Sequence, residues 1–332
     1  MTLKQGTFII SLDFELHWGG FEKWPLENYR QYFMNTRKVI PEMLRLFEQS
    51  DVHVTWATVG MLFHTTRHSL EETLPTLQPS YAQRELSAYQ YIEKHGIGND
   101  EDDDPFHYAG SLVQRVLETP GQELASHTFA HYYCNEAGQT VEQFRADLRA
   151  AQLSAEKYGK RLRSLVFPRN QFNEEYLKAC YEEGIVAVRD NPRDWFWNIR
   201  STQHESMWKR LNRGLDAYFP VGKANTYPLG SIESALGLPL CIPASRLLRP
   251  YRPKEYFLNN LKISRIQAEM KRAAQQQQVY HLWWHPHNFG NYPQQSMDGL
   301  RRILDTFVQC REQHGMQSLS MGEVADLILK KA

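Results

Sequence analysis

The sequence predicts an α/β fold with a parallel sheet and helices packed outside it. Three observations carry this prediction. Short apolar runs alternate with stretches of helical periodicity, the pattern of repeated βα units. The chain has 332 residues, 42% hydrophobic and 12% aromatic, enough to bury a large core. Reactive side chains also fall just past the strand-like runs, where the catalytic groups of a parallel barrel gather, and Asp13, His127, Arg169, Asp190 and His285 are placed in this way.

Phe8 to Leu12 reads as the first strand, ending at Asp13. Tyr29 to Gln49 follows as a helix, with Val39, Ile40, Met43, Leu44 and Phe47 on one face. Val52 to Ala57 is the second strand, and Thr58-Val59-Gly60 turns into a short helix. Glu123 to Ser126 is a strand that delivers His127, and Thr140 to Tyr158 is a helix with Val141, Phe144, Leu148 and Ala151 along one side. Leu165 to Pro168 is a strand closed by proline, followed by a helix over Glu174 to Glu183. Ile185 to Val188 and Val279 to Trp284 are further strands, and helices at Met297 to Gln313 and from Glu323 close the chain.

Residues 1–332 read as one domain with two insertions, at about 64–120 and 196–278. The first contains the acidic run Asp100 to Asp104. The second is rich in turn residues and carries eight cations between Arg246 and Arg272. These cations suit an anionic lipid or phosphate, although a solvated helix face explains them as simply.

Lys plus Arg equals Asp plus Glu at 38 each, which argues against a nucleic-acid partner. The first residues lack the pattern of a secretory signal, and no run approaches the ~20 apolar residues of a membrane span. Cys134, Cys180, Cys241 and Cys310 are scattered, as for reduced thiols. A cytoplasmic location, extending to the inner face of the membrane, is the expectation.

Four segments carry chemistry. His127 and His131, four apart, meet on one face if that stretch is helical, a geometry suited to a divalent metal; two hydrogen-bonded core histidines are the alternative. If the first strand continues through Glu15, alternation puts Asp13 and Glu15 on one side, one to complete a metal site and one to act as base; a solvated acidic strand end is the plain reading. His285, before Pro286, suits a general acid, or a histidine in an aromatic cluster. Arg169, after a strand, suits a bidentate contact to a carboxylate, or an ordinary surface arginine.

The order of these segments resembles the polysaccharide deacetylases (NodB homology, carbohydrate esterase family 4), and most of all the D-x-E branch found in surface-polysaccharide biosynthesis. The resemblance covers about residues 7 to 195 and 279 to 325. It implies a distorted, seven-stranded (β/α) barrel with long insertions. By resemblance Asp13 is the general base, Glu15, His127 and His131 hold Zn²⁺ or another divalent metal, and His285 is the general acid. Arg169, in an inverted Pro168-Arg169 order, is the partner of the base. Backbone N–H groups near Asn170 or Gln171 are candidate oxyanion donors. Arg189-Asp190-Asn191 and Asp194-Trp195 match the fourth motif loosely.

The implied activity is metal-dependent hydrolysis of an N-acetyl or N-formyl amide on a nucleotide- or lipid-linked sugar. Two rival readings are a metal-free amidohydrolase and a catalytically silent sugar-binding protein, with Trp18, Trp24, Trp195, Trp283 and Trp284 as stacking platforms. The sequence leaves the oligomeric state open.

Overall fold

Every residue of the first strand, β1 (Thr7–Phe14), is buried, which requires that both faces of the strand be covered. The faces divide by parity. Phe8, Ile10, Leu12 and Phe14 join the apolar layer between sheet and helices, whereas Ile9 packs with Ala57, Ala125, Val166, Ala187 and Ile242 inside the curled sheet. The two-residue period puts Ser11 and Asp13 on the side of Ile9.

The computed structural model describes residues 5–194, 197, 207–216, 218 and 225–330. Within them the strands are β1, β2 (Val54–Thr58), β3 (Gln122–Ser126), β4 (Ser164–Leu165), β5 (Ala187–Asp190), β6 (Leu240–Pro243), β7 (Arg246–Leu247), β8 (Val279–Trp284) and β9 (Gln317–Ser318). They follow the order β6-β5-β4-β3-β2-β1-β8-β7, with β9 also on β1, and all these pairings are parallel. The helices are α1 (Leu26–Gln49), α2 (Arg67–Glu71), α3 (Ala88–His95), α4 (Gly110–Glu118), α5 (Val141–Glu156), α6 (Glu174–Glu182), α7 (Met207–Asp216), α8 (Tyr256–Gln276), α9 (Pro293–His314) and α10 (Met321–Leu329). Among the described residues no helix is long and apolar enough to cross a membrane.

The architecture is the expected distorted barrel, with nine strands rather than seven. The additional strands are short. β6 pairs with β5 and β7 with β8, so the stretch from Leu240 to Leu247 spans the two edges of the sheet. Between them the Ala244 N–H donates to the Asp190 carbonyl (2.9 Å) and the Ser245 N–H to the His281 carbonyl (2.7 Å). This stretch lies inside the range assigned to an insertion. Pro239 and Pro243 read there as turn signals, and strands of four and two residues are too short to display a period.

The basic segment is divided: Arg252, Lys254, Lys271 and Arg272 are exposed, whereas three of its cations are internal or paired. Arg246 is buried and paired with Asp216 and Glu269, Arg265 pairs with the same two carboxylates, and Lys262 is buried against the Pro250 carbonyl. The acidic loop is likewise tied down. Glu101 accepts from Arg37 and Ser111, and Asp104 accepts from His107, whose other nitrogen meets His17. All four cysteines are unpaired.

Candidate active site

The carboxyl ends of β1, β3 and β8 bring Asp13, Glu15, His127, His131 and His285 together. β1 ends at Phe14, and Glu15 (φ −120°, ψ −30°) leads into a 3-10 turn over Leu16–Gly19. It is this turn, rather than a continued strand, that keeps Glu15 beside Asp13, within 4.8 Å of both Asp13 and His285. Gly19 is required for the close approach, because a Cβ there would lie 1.9 Å from Glu15 Oε2.

His127 and His131 reach the same carboxylate by a route the spacing does not predict. They lie in an irregular loop, not on a helix, with Thr128 at φ 63° and His131 at φ 55°. The loop keeps this costly conformation because its backbone polar groups find tertiary partners. The Phe129 and Ala130 N–H groups donate to the Asp147 carboxylate at 2.6 and 3.1 Å. The Gly60 and Met61 N–H groups donate to the Thr128 and Phe129 carbonyls. Burial raises the Asp147 carboxyl to about 7, against the lowering effect of those two N–H groups. Its position between Phe144 and Leu148, on the apolar face of α5, is the one sequence signal that marks it.

The assigned base, Asp13, is held by an arginine, but not the expected one. Arg169 makes no contact with Asp13; its guanidinium covers the Tyr133 ring at 3.9 Å and pairs with Glu22 and Glu136. It lies beyond Pro168, in a 3-10 turn where its own φ is 54°, outside the sheet. The partner of Asp13 is Arg189, whose two terminal nitrogens meet the two carboxylate oxygens at 2.5 and 2.8 Å. Arg189 is on β5, two residues from the inward-facing Ala187, and its guanidinium lies over the Trp283 ring at 4.1 Å. It also donates to Ser11 Oγ, which donates to His281 Nε2, while His281 Nδ1 donates to the Pro243 carbonyl. Asp190 instead accepts from the Asn191 N–H.

Burial opposes ionisation of Asp13, but Arg189 and then His285 outweigh it and hold the carboxyl below its ordinary range. Glu15 is held well below its range, where His285 and contacts from His127 and His131 overcome burial. His285 Nε2 lies 3.6 Å from Asp13 and 3.7 Å from Glu15, on a side chain 26% exposed. His287 Nδ1 lies 3.8 Å from Glu15 Oε2 without a hydrogen-bond partner, and burial, helped by His285, takes it down to about 3.

The donor set fits a divalent metal. The Val166 carbonyl can only accept, so His127 donates to it through Nδ1, which leaves Nε2 as the nitrogen that would ligate a cation. His127 Nε2 faces Glu15 Oε1 at 2.9 Å, and His131 Nε2 faces the same oxygen at 3.2 Å. Two ring nitrogens and a carboxylate oxygen directed at one another can all ligate one cation. The Val166 carbonyl and the Tyr133 hydroxyl, 3.0 Å from His131 Nδ1, orient the rings as outer partners of metal ligands do.

Other expectations are changed. The Asn170 and Gln171 N–H groups donate to the Phe167 and Pro168 carbonyls and so are not directed at an oxyanion. Trp18 and Trp284 are fully buried and Trp283 lies beneath Arg189, so these three are structural rather than stacking platforms. Trp195 lies outside the described residues.

No family model and no curated protein matches the sequence. Solved structures match along nearly its whole length. A Mycobacterium smegmatis protein assigned to the polysaccharide deacetylases aligns over 98% of this chain and 90% of its own, with 12% identity and a TM-score of 0.58. An allantoinase aligns over 96% and 89%, at 12% identity and a TM-score of 0.54. A 4-alpha-glucanotransferase from Thermococcus litoralis gives 0.55 at 12% identity, covering 97% of this chain and 40% of its own. The chain therefore has the NodB-like (β/α) barrel fold of the polysaccharide deacetylases. These neighbours differ in chemistry, so the site must carry the functional argument.

Proposed function

We propose that this protein is a metal-dependent hydrolase that removes an acetyl or formyl group from the nitrogen of a sugar. The observation that carries this reading is the convergence of His127 Nε2 and His131 Nε2 on Glu15 Oε1, next to a second carboxylate clamped by arginine. Two carboxylates of distinct environment beside a histidine pair supply one ligand and one base.

Glu15, His127 and His131 would hold the cation, which would polarise the amide carbonyl and acidify a water. Asp13 accepts a proton from the attacking water, and Arg189 keeps it ionised and fixes which oxygen faces the site. His285, partly open to solvent at the end of β8, donates a proton to the departing amine nitrogen. Arg169 has no part in orienting the base. A nucleotide- or lipid-linked sugar is the proposed substrate class, and zinc the proposed metal.

Elemental analysis of the purified protein and of His127→Ala/His131→Ala tests the site. One equivalent of zinc or another divalent metal in the wild type, absent from the variant, is the expected result. Acetate or formate release from N-acyl sugars should then follow metal content. A wild type that takes up no metal when zinc is supplied would sink the mechanism and favour a metal-free amidohydrolase or a sugar-binding protein.

A further inference from the structure

A second cavity lies between the first turns of α8 and α9. These helices follow β7 and β8, so in a parallel βα arrangement they begin on the face where the strand ends carry Asp13 and His285. A cavity of about 230 Å³ opens there, bordered by Arg249, Asn260, Lys262, Ser296, Asp298 and Arg302. Its volume is below the ~300–1,000 Å³ of pockets that enclose drug-sized ligands, which suits one small group.

Several features suit an anion. Lys262 is 5% exposed and directs its ammonium to the Pro250 carbonyl at 2.5 Å, using one of three donors. Ser296 is 8% exposed, and its Oγ is buried with no hydrogen-bond partner. Neither α8 nor α9 has a side-chain cap at its N-terminus, so neither first turn has its N–H groups met by a capping residue. The opposing carboxylate, Asp298, is engaged by Arg301 at 2.6 Å and by Gln294. Burial lowers the Lys262 ammonium to about 8, and a bound anion would raise it again. Tyr256, on the border of the cavity, is 64% exposed, and Phe257 and Leu261 on the same helix are 81% and 43% exposed. Phe289 forms part of the wall, and it belongs to the turn Pro286–Phe289 that directly follows His285.

We propose that this cavity binds a phosphate or pyrophosphate group through Lys262, Ser296 and the first turns of α8 and α9. The group is borne either by a soluble molecule or by a lipid, whose chains would meet Phe257 and Leu261. This assignment does not depend on the metal site.

Calorimetric titration with inorganic pyrophosphate, and co-sedimentation with phosphatidylcholine vesicles with and without phosphatidic acid, test it on wild type, Lys262→Met, Ser296→Val and Phe257→Ser. For a soluble ligand, pyrophosphate binds saturably, and Lys262→Met and Ser296→Val each weaken it about tenfold or more. For a lipid-borne group, pyrophosphate binds weakly or not at all. Phosphatidic-acid vesicles then retain the wild type, and Lys262→Met, Ser296→Val and Phe257→Ser each lose it. Equal binding by wild type and all variants, or none to either probe, overturns the proposal. If Lys262→Met does not fold, Ser296→Val decides in both arms. Metal content, unchanged in these variants, separates this result from the fate of the hydrolase reading.

Discussion

Arg189 and Asp13 form a two-pronged ion pair inside the barrel, at 2.5 and 2.8 Å, with side chains 1% and 4% exposed. The residues are 176 positions apart and join because β5 curls round to face β1. A buried pair of this kind adds little net stability over apolar packing, yet losing one partner costs about 3–5 kcal/mol. Its value here is geometric and electrostatic.

Arg189→Lys retains the charge and loses the fork. It should lower kcat substantially and move the acid limb of the kcat/KM profile upward, because burial of Asp13 is then less well opposed. Arg169→Ala should leave that limb in place. A shifted limb in Arg169→Ala with none in Arg189→Lys would reverse the assignment.

Asp13→Asn should keep metal content at the wild-type level and reduce turnover by roughly a hundredfold to ten-thousandfold, the usual loss for a general base. Metal analysis and acetate release on one preparation separate the two effects. Near-normal turnover removes Asp13 from the mechanism.

Asp147→Ala leaves the Phe129 and Ala130 N–H groups without their acceptor, at about 1–3 kcal/mol each. We expect a lower melting temperature together with weaker metal retention, since this carboxylate shapes the loop that carries both histidines. Tyr133→Phe removes only the hydroxyl at His131 and should weaken metal affinity about tenfold to a hundredfold, with little change in melting. Competition against a chelator measures both.

His53 and Glu323, 2.7 Å apart, join the start of β2 to α10. The contact raises the histidine and, against burial, lowers the carboxyl. The histidine's contribution is full below its unfolded value and lost as pH rises through the folded one. The carboxylate's contribution is present above its unfolded value and lost as pH falls through the folded one. The gap in melting temperature between wild type and His53→Ala should therefore be widest between about pH 4.5 and 6.5 and close at alkaline pH. A gap that does not vary with pH contradicts this.

The sequence by itself determined the βα alternation, a first strand over Phe8 to Leu12 and the placement of Asp13, His127 and His285 at strand ends, because periods of 2 and 3.6 and chain-local turn chemistry are written in neighbouring residues. Arg189 was within reach of the same reading, as it shares its side of β5 with Ala187, but a strand of four residues shows almost no period. The tertiary structure alone decided which arginine meets the base, that Arg169 turns away to Tyr133 and Glu22, and that residues 240–247 span the edges of the sheet. It also decided that His127 and His131 converge through a loop held by Asp147 and the Gly60 turn. The reason is the same in each case: the partner lies far along the chain, and only the curl of the sheet brings it within hydrogen-bonding distance.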